Sequence, residues 1–238
     1  MNTTVETNSL ELVGVTSGYG TTTILRNVDL TVPAGSVTAL LGSNGAGKST
    51  LLKTVSGLVH STQGTIRLGG EEITNLPTNR RAQKGLCHIP EGRAIFRHLT
   101  VRENLLLQAG PGHEDELLAR CTEAFPILGQ RLNQRAGSMS GGQQQMLAMC
   151  RAYAHNPKLI LVDEASLGLA PILVDEIFHF LRQVADEGAA LLIVDQFITR
   201  ALALASKVYV MNRGEIVFTG KPSDLENDDV FRRYLGGD

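Results

Sequence analysis

The stretch GSNGAGKST, Gly42 to Thr50, constrains the fold more than any other part of the chain. It satisfies G-x-x-x-x-G-K-[ST] in full, and it lies between an apolar run, VTALL (37–41), and a helix-like segment, KSTLLKTVSGL. A strand that turns through glycines into a helix aims successive backbone N–H groups at one point in space. The helix dipole adds to that field, so the turn suits a phosphate. Gly42, Ser43, Asn44, Gly45, Ala46, Gly47, Lys48, Ser49 and Thr50 are the candidate phosphate-binding residues. Lys48 would set a cation against the β- and γ-phosphates, and the Ser49 hydroxyl can ligate Mg²⁺. A glycine-rich turn that only caps a helix is the plain structural alternative, and motif and context together argue against it.

The runs LILV (159–162), ALLIV (190–194) and KVYVM (207–211) also read as buried strands. They alternate with the amphipathic segments ILVDEIFHFLRQVADEG and ITRALALAS, the pattern of βαβ units and a mostly parallel sheet. The first part differs. LELVGVTSGYG, ILRNVDLTV and GTIRLGG read as antiparallel strands joined by glycine and polar turns. Between about residues 92 and 150 the signal is helical, in TVRENLLLQ, EDELLARCTEAF and GGQQQMLAMCRAYAHN. The fold class is therefore α/β, with an antiparallel β piece at its start and a helical insertion in its middle.

LILVDEAS supplies a second chemical feature. Its apolar residues put Asp163 and Glu164 at the carboxyl end of a buried strand, where α/β sheets bind ligands. Asp163 can hold Mg²⁺ and Glu164 can orient and deprotonate an attacking water. Paired carboxylates in a solvated turn are the alternative, weakened by the phosphate loop upstream.

Net charge is −2, which argues against a general nucleic-acid binder. No stretch approaches the roughly 18 to 20 apolar residues of a spanning helix, and MNTTVETNSLEL lacks the features of a signal peptide. A cytoplasmic protein, held at a membrane only through partners, is the expectation. Cys87, Cys121 and Cys150 show no C-x-x-C pair and read as buried thiols, and the histidines have no metal-ligand spacing.

MSGGQQQ, Met139 to Gln145, stands between the phosphate loop and the strand bearing Asp163, and resembles the signature sequence of ATP-binding cassette (ABC) ATPases. As plain structure, Ser140 would cap a helix that begins Gly-Gly. The resemblance runs from LELVGV to the closing YLGG. It implies one domain over 1–238: a P-loop NTPase (RecA-like) core with an N-terminal antiparallel β subdomain, covering 1–91 and 156–238, and an inserted α-helical subdomain over 92–155. It implies ATP and Mg²⁺ as nucleotide and metal, with Ser49, Glu91 and Asp163 around the metal. It also implies that Ser140, Gly141, Gly142 and Gln143 act in trans on a nucleotide held by a second subunit. Tyr19, in SGYG, matches the aromatic that stacks on adenine, and SLGL (166–169) falls at the D-loop without its usual Asp.

Two departures narrow the resemblance. Glu91, in IPEGRAIFRHLTVREN, stands at the Q-loop position where most relatives carry Gln, and Gln196 stands at the switch position where most carry His. With SLGLAPI, these are similar to the shorter ATPase subunit of branched-chain amino acid importers. Glu91 can offer an oxygen toward Mg²⁺ but adds negative charge near phosphates, so it needs the metal or a cation such as Arg93. Gln196 can donate to a γ-phosphate oxygen but has no titrating proton, which leaves Glu164 as the base and Lys48, Glu164 and Gln196 as the catalytic set. The implied partners are a second ATPase subunit (sister or self), two membrane permeases and, indirectly, an extracytoplasmic solute-binding protein, with no nucleic acid. Ile95, Phe96 and Leu99 are candidates for permease contact, with packing inside the insertion as the alternative. A urea or short-amide importer, an exporter ATPase and a soluble non-transport ABC ATPase are the alternatives. A GTPase or small-molecule kinase would lack N-K-x-D and leave MSGGQQQ unexplained. Asp195, where this group carries Glu, has no explanation in the sequence.

Overall fold

The computed structural model describes residues 8–154 and 156–225; the closing YLGG lies outside them. Strands β1 (Asn8–Tyr19), β2 (Thr22–Pro33), β3 (Val37–Leu41), β4 (Ser61–Leu68) and β5 (Glu71–Glu72) come first, with helix α1 (Lys48–Ser56) after β3. Helix α2 (Thr78–Gln83) and strand β6 (Leu86–Ile89) follow. The insertion holds α3 (Val101–Leu106), α4 (Glu114–Ala124), α5 (Pro126–Gly129) and α6 (Gly141–Met149). The chain then runs through β7 (Leu159–Asp163), α7 (Pro171–Asp186), β8 (Ala190–Val194), α8 (Ile198–Leu204), β9 (Lys207–Asn212) and β10 (Glu215–Gly220).

One sheet has the order β2-β1-β4-β5 and is antiparallel; the other has the order β10-β9-β3-β8-β7-β6. In the second sheet every neighbouring pair from β9 to β6 is parallel, and β10 joins β9 antiparallel. Strands β3, β7 and β8 are buried along their whole length, as continuous apolar runs must be when both sheet faces are covered. Their side chains alternate between two cores. Ala39, Ile160, Val162, Leu191 and Ile193 face a core completed by Leu117, Phe125, Met146 and Phe180. Leu40, Leu161 and Leu192 face the other, with Leu52 of α1 and Leu10, Leu12 and Val28 of the antiparallel sheet. The helical insertion and α7 thus cover one face, and α1 and the antiparallel sheet cover the opposite one.

Residues 92–154 add no strand to either sheet among the described residues, only an isolated bridge between Thr100 and Arg135. Helix α3 opens on a capping box formed by Thr100 and Glu103. Phe125 stacks on Phe180 at 4.9 Å and ties the insertion to α7. Cys121 and Cys150 are buried and all three thiols are free; burial pushes the Cys87 thiol up to about 12.

Helix α1 is pinned at its far end by Arg81 of α2, a residue only 3% exposed. It donates to the carbonyls of Thr54 (2.8 Å), Val55 (2.7 Å), Thr74 (2.7 Å) and Leu76 (2.8 Å). Two of these carbonyls lie in the last turn of α1, where a cation also meets the negative end of the helix dipole. Arg81→Met should leave the Val55 and Thr74 carbonyls buried without this donor, whereas Thr54 O keeps Gly57 N and Leu76 is only half-buried, and should cost about 3 kcal/mol. A urea titration would read this as a lower midpoint at constant slope, and an unshifted midpoint would contradict it.

Candidate functional site

All three elements of the site leave the carboxyl ends of parallel strands, so they meet at one edge of the sheet. Strand β8 lies between β3 and β7, and its end therefore sits between the phosphate loop and the carboxylate pair.

At the end of β3, the loop depends on glycine geometry. Gly42 has φ 151°, and a Cβ there would come within 2.2 Å of the Met211 carbonyl oxygen. Gly47 caps α1 at φ 112° with no side-chain acceptor, and Leu51 N donates to Gly47 O at 2.9 Å. The N–H groups of Lys48, Ser49 and Thr50 therefore have no acceptor within the helix and open onto the loop. Lys48 folds over this loop, donating to Gly42 O at 2.7 Å and Ser43 O at 3.0 Å. Burial lowers its ammonium pKa, while Glu164 and Asp163 act in the opposite sense.

At the end of β7, Asp163 is 1% exposed. The Ser49 hydroxyl donates to its Oδ1 at 2.9 Å, whereas its Oδ2 is buried without a partner. A buried, unpartnered carboxylate oxygen beside a serine hydroxyl is the donor set a hard divalent cation takes, so these residues fit Mg²⁺. Glu164 has φ 46°, a left-handed conformation uncommon outside glycine, and its N–H reaches across to Val194 O at 2.8 Å. Both carboxylates have raised pKa values, mainly through burial; Glu91 raises both further, while Lys48 pulls both down. Glu91 and Glu164 line one cavity of about 310 Å³ with Arg93, Gln144 and Gln145. The negative charge expected of Glu91 is thus felt by both strand-end carboxylates.

Arg93 does not form an ion pair with Glu91 among the described residues. Its guanidinium donates to Gln144 Oε1 at 2.9 Å, and Gln144 in turn donates to Ala136 O and Met139 O. Gly92, Arg93 and Ala94 all have positive φ, and Arg151 holds the Ala94 carbonyl at 2.6 Å. This loop is therefore tied to Gln144 in the first half of α6 and to Arg151 just beyond its end, a link the sequence did not suggest because Gln144 and Arg151 lie more than 50 residues downstream. The expectation for the apolar residues beside it divides. Phe96 is 58% exposed, whereas Ile95 is partly buried and packs on the main core, and Leu99 is half-buried. Asn104, fully buried, fixes that loop by bonding both the N–H and the carbonyl of Phe96.

Ser140 caps α6 through a capping box with Gln143. Gly141 and Gly142 follow; a Cβ on Gly142 would meet Leu173 Cδ1 at 2.2 Å. Among the described residues no hydrogen bond joins Ser140–Gln143 to the phosphate loop. Tyr19 ends β1 and is 49% exposed, two residues beyond Ser17, whose hydroxyl bonds Thr54 of α1 at 2.7 Å. Gln196 is exposed in the turn after β8.

A model of the ABC transporter family matches residues 25–167. The chain is 43% identical over 228 residues to the high-affinity branched-chain amino acid transport ATP-binding protein BraG of Pseudomonas aeruginosa, spanning 94% of this chain and 97% of that protein. It is 34% identical to the probable branched-chain amino acid transport ATP-binding protein LivF of Archaeoglobus fulgidus, over 96% and 98% of the two chains. Among solved structures it is similar to the ADP conformation of an ATP-binding cassette of an ABC transporter. That match has a TM-score of 0.80 and 26% identity, and covers 93% of this chain and 95% of the other.

Proposed function

The chain belongs to the ABC transporter family, and from that premise we propose that it is the ATP-hydrolysing subunit that energises an importer of branched-chain amino acids. The observation that carries the solute class is the 43% identity to BraG along nearly the whole chain. Glu91 and Gln196, unusual at their positions, support the same group.

The phosphate loop, Gly42 to Thr50, would hold the nucleotide phosphates, with Tyr19 against the adenine. Lys48 would exchange its two loop carbonyls for phosphate oxygens. Ser49, Asp163 and Glu91 would hold Mg²⁺, which when bound neutralises phosphate charge. Glu164 would take the proton of the attacking water, its raised pKa keeping it a stronger base than an exposed carboxylate. Gln196, reaching in from between the two other strand ends, would donate its amide to a γ-phosphate oxygen. Ser140, Gly141, Gly142 and Gln143 would serve the nucleotide of a second ATPase subunit, with residues 92–155 acting as a helical insertion on the core. No helix among the described residues is long and apolar enough to cross a membrane. As the resemblance implies, import would use two permease subunits, with exposed Phe96 as one contact, and an extracytoplasmic solute-binding protein. The subunit would sit peripherally on the inner face of the membrane.

The test is co-purification with candidate permeases, followed by ATPase assay of the reconstituted complex with each solute and its binding protein. Stimulation by leucine, isoleucine or valine is expected. Stimulation by urea or short amides alone would replace the solute class, and a chain that captures no permease would overturn the transport role.

A further inference from the structure

Asp195 is the residue of the active-site edge that neither the phosphate chemistry nor the sequence explains. The residue is 5% exposed, and its carboxylate forms no ion pair among the described residues. Three donors surround it. Its Oδ1 accepts from the Ser166 hydroxyl and from Phe197 N at 2.9 Å, and its Oδ2 accepts from Ser166 N at 3.2 Å. Ser166 is fully buried. Burying a carboxylate without a counter-ion is costly, so a neutral side chain would hold a plain turn with less penalty. All three partners are donors, however, and only a carboxylate accepts three hydrogen bonds without bringing a donor of its own.

The positions of the partners are the telling part. Ser166 lies two residues after Glu164, and Asp195 and Phe197 flank Gln196 in sequence. Together with the bond from Glu164 N to Val194 O, the carboxylate ties the turn after β7 to the turn after β8. The first of these turns carries Glu164 in its left-handed conformation, which persists only where its surroundings hold it. We propose that Asp195 is a positioning residue that latches these two turns together through Ser166, fixing Glu164 and Gln196 relative to each other for hydrolysis.

This inference rests on the assignment of Glu164 and Gln196 to hydrolysis. The latch should matter for turnover but not for nucleotide binding, since the phosphate loop makes no contact with Asp195 through these bonds. The test uses the full chain with Ser166→Ala, Asp195→Asn and the double variant. Ser166→Ala is the milder change, because Asp195 keeps the Phe197 N–H. Each single variant should lower kcat by about tenfold, with the Kd for ATP within about twofold of wild type. The double variant should be no slower than Asp195→Asn alone, as expected of two groups in one contact. Amide exchange, which needs no turnover, should quicken at residues 164–168 and 196–198 in both single variants. Unchanged kcat and unchanged exchange would overturn the latch, as would additive losses in the double variant. So would losses of kcat that vanish when assays are run at equal distance below each variant's Tm. A wild-type chain without ATPase activity would instead count against the assignment of Glu164, and the exchange data would still decide the latch.

Discussion

Glu164→Gln is expected to cut ATP hydrolysis by about 10²- to 10³-fold while the Kd for ATP stays within about twofold. The substitution keeps the shape of the side chain and removes only the ability to take a proton. The turn itself should survive, because it is held by Glu164 N to Val194 O and by the Ser166–Asp195 contact, neither of which uses the Glu164 side chain. Loss of one negative charge beside the phosphates should favour bound ATP. The variant should therefore accumulate the nucleotide-bound dimer, visible as an ATP-dependent shift in size-exclusion chromatography. Gln196→Ala serves as the internal comparison: it removes a neutral donor from an exposed turn, so its effect on kcat should be smaller. Undiminished turnover in Glu164→Gln would remove the base role, and an equal or larger loss in Gln196→Ala would make the amide as necessary as the carboxylate.

What the sequence could and could not reveal follows from the range of the interactions involved. Strands β3, β7 and β8 were legible because a strand covered on both faces is apolar along most of its length. The turn from β3 into α1 was legible because its glycines recur at the spacing such a turn prescribes. Strand β6 escaped notice: LCHI is four residues long and includes a polar one. Strand β10 has no fully buried position, so its sequence carries little apolar signal. Arg81 carries no local signal of its role, because its four carbonyl acceptors lie in two separate segments, Thr54–Val55 and Thr74–Leu76. Ile95 looked like a candidate for a partner surface, yet it packs on the main core beside exposed Phe96. The strand order carries the largest gain. Nothing local in the sequence indicates that β8, which leads into Gln196, lies between the strand of Asp163 and the one feeding the phosphate loop.

Lys48→Ala should weaken ATP binding by about 10²-fold, the scale of losing a charge-assisted contact to phosphate in a partly buried site. The lysine ammonium satisfies two loop carbonyls, Gly42 O and Ser43 O, rather than a carboxylate. Gly42 is only partly buried and Ser43 is exposed, so water can replace the ammonium there and stability should change by less than about 1 kcal/mol. A second consequence follows from charge. Lys48 pulls down the raised pKa values of Asp163 and Glu164, so its removal should raise both further. Any residual binding should then weaken more with falling pH than in wild type, as Asp163 loses its charge at a higher pH. Titration with a fluorescent ATP analogue at several pH values would measure both effects. The variant thus fails at binding, whereas Glu164→Gln binds and fails at turnover. If Lys48→Ala bound ATP normally and only turned over slowly, the lysine would belong to the chemical step alone and the nucleotide would be held by the backbone of the loop.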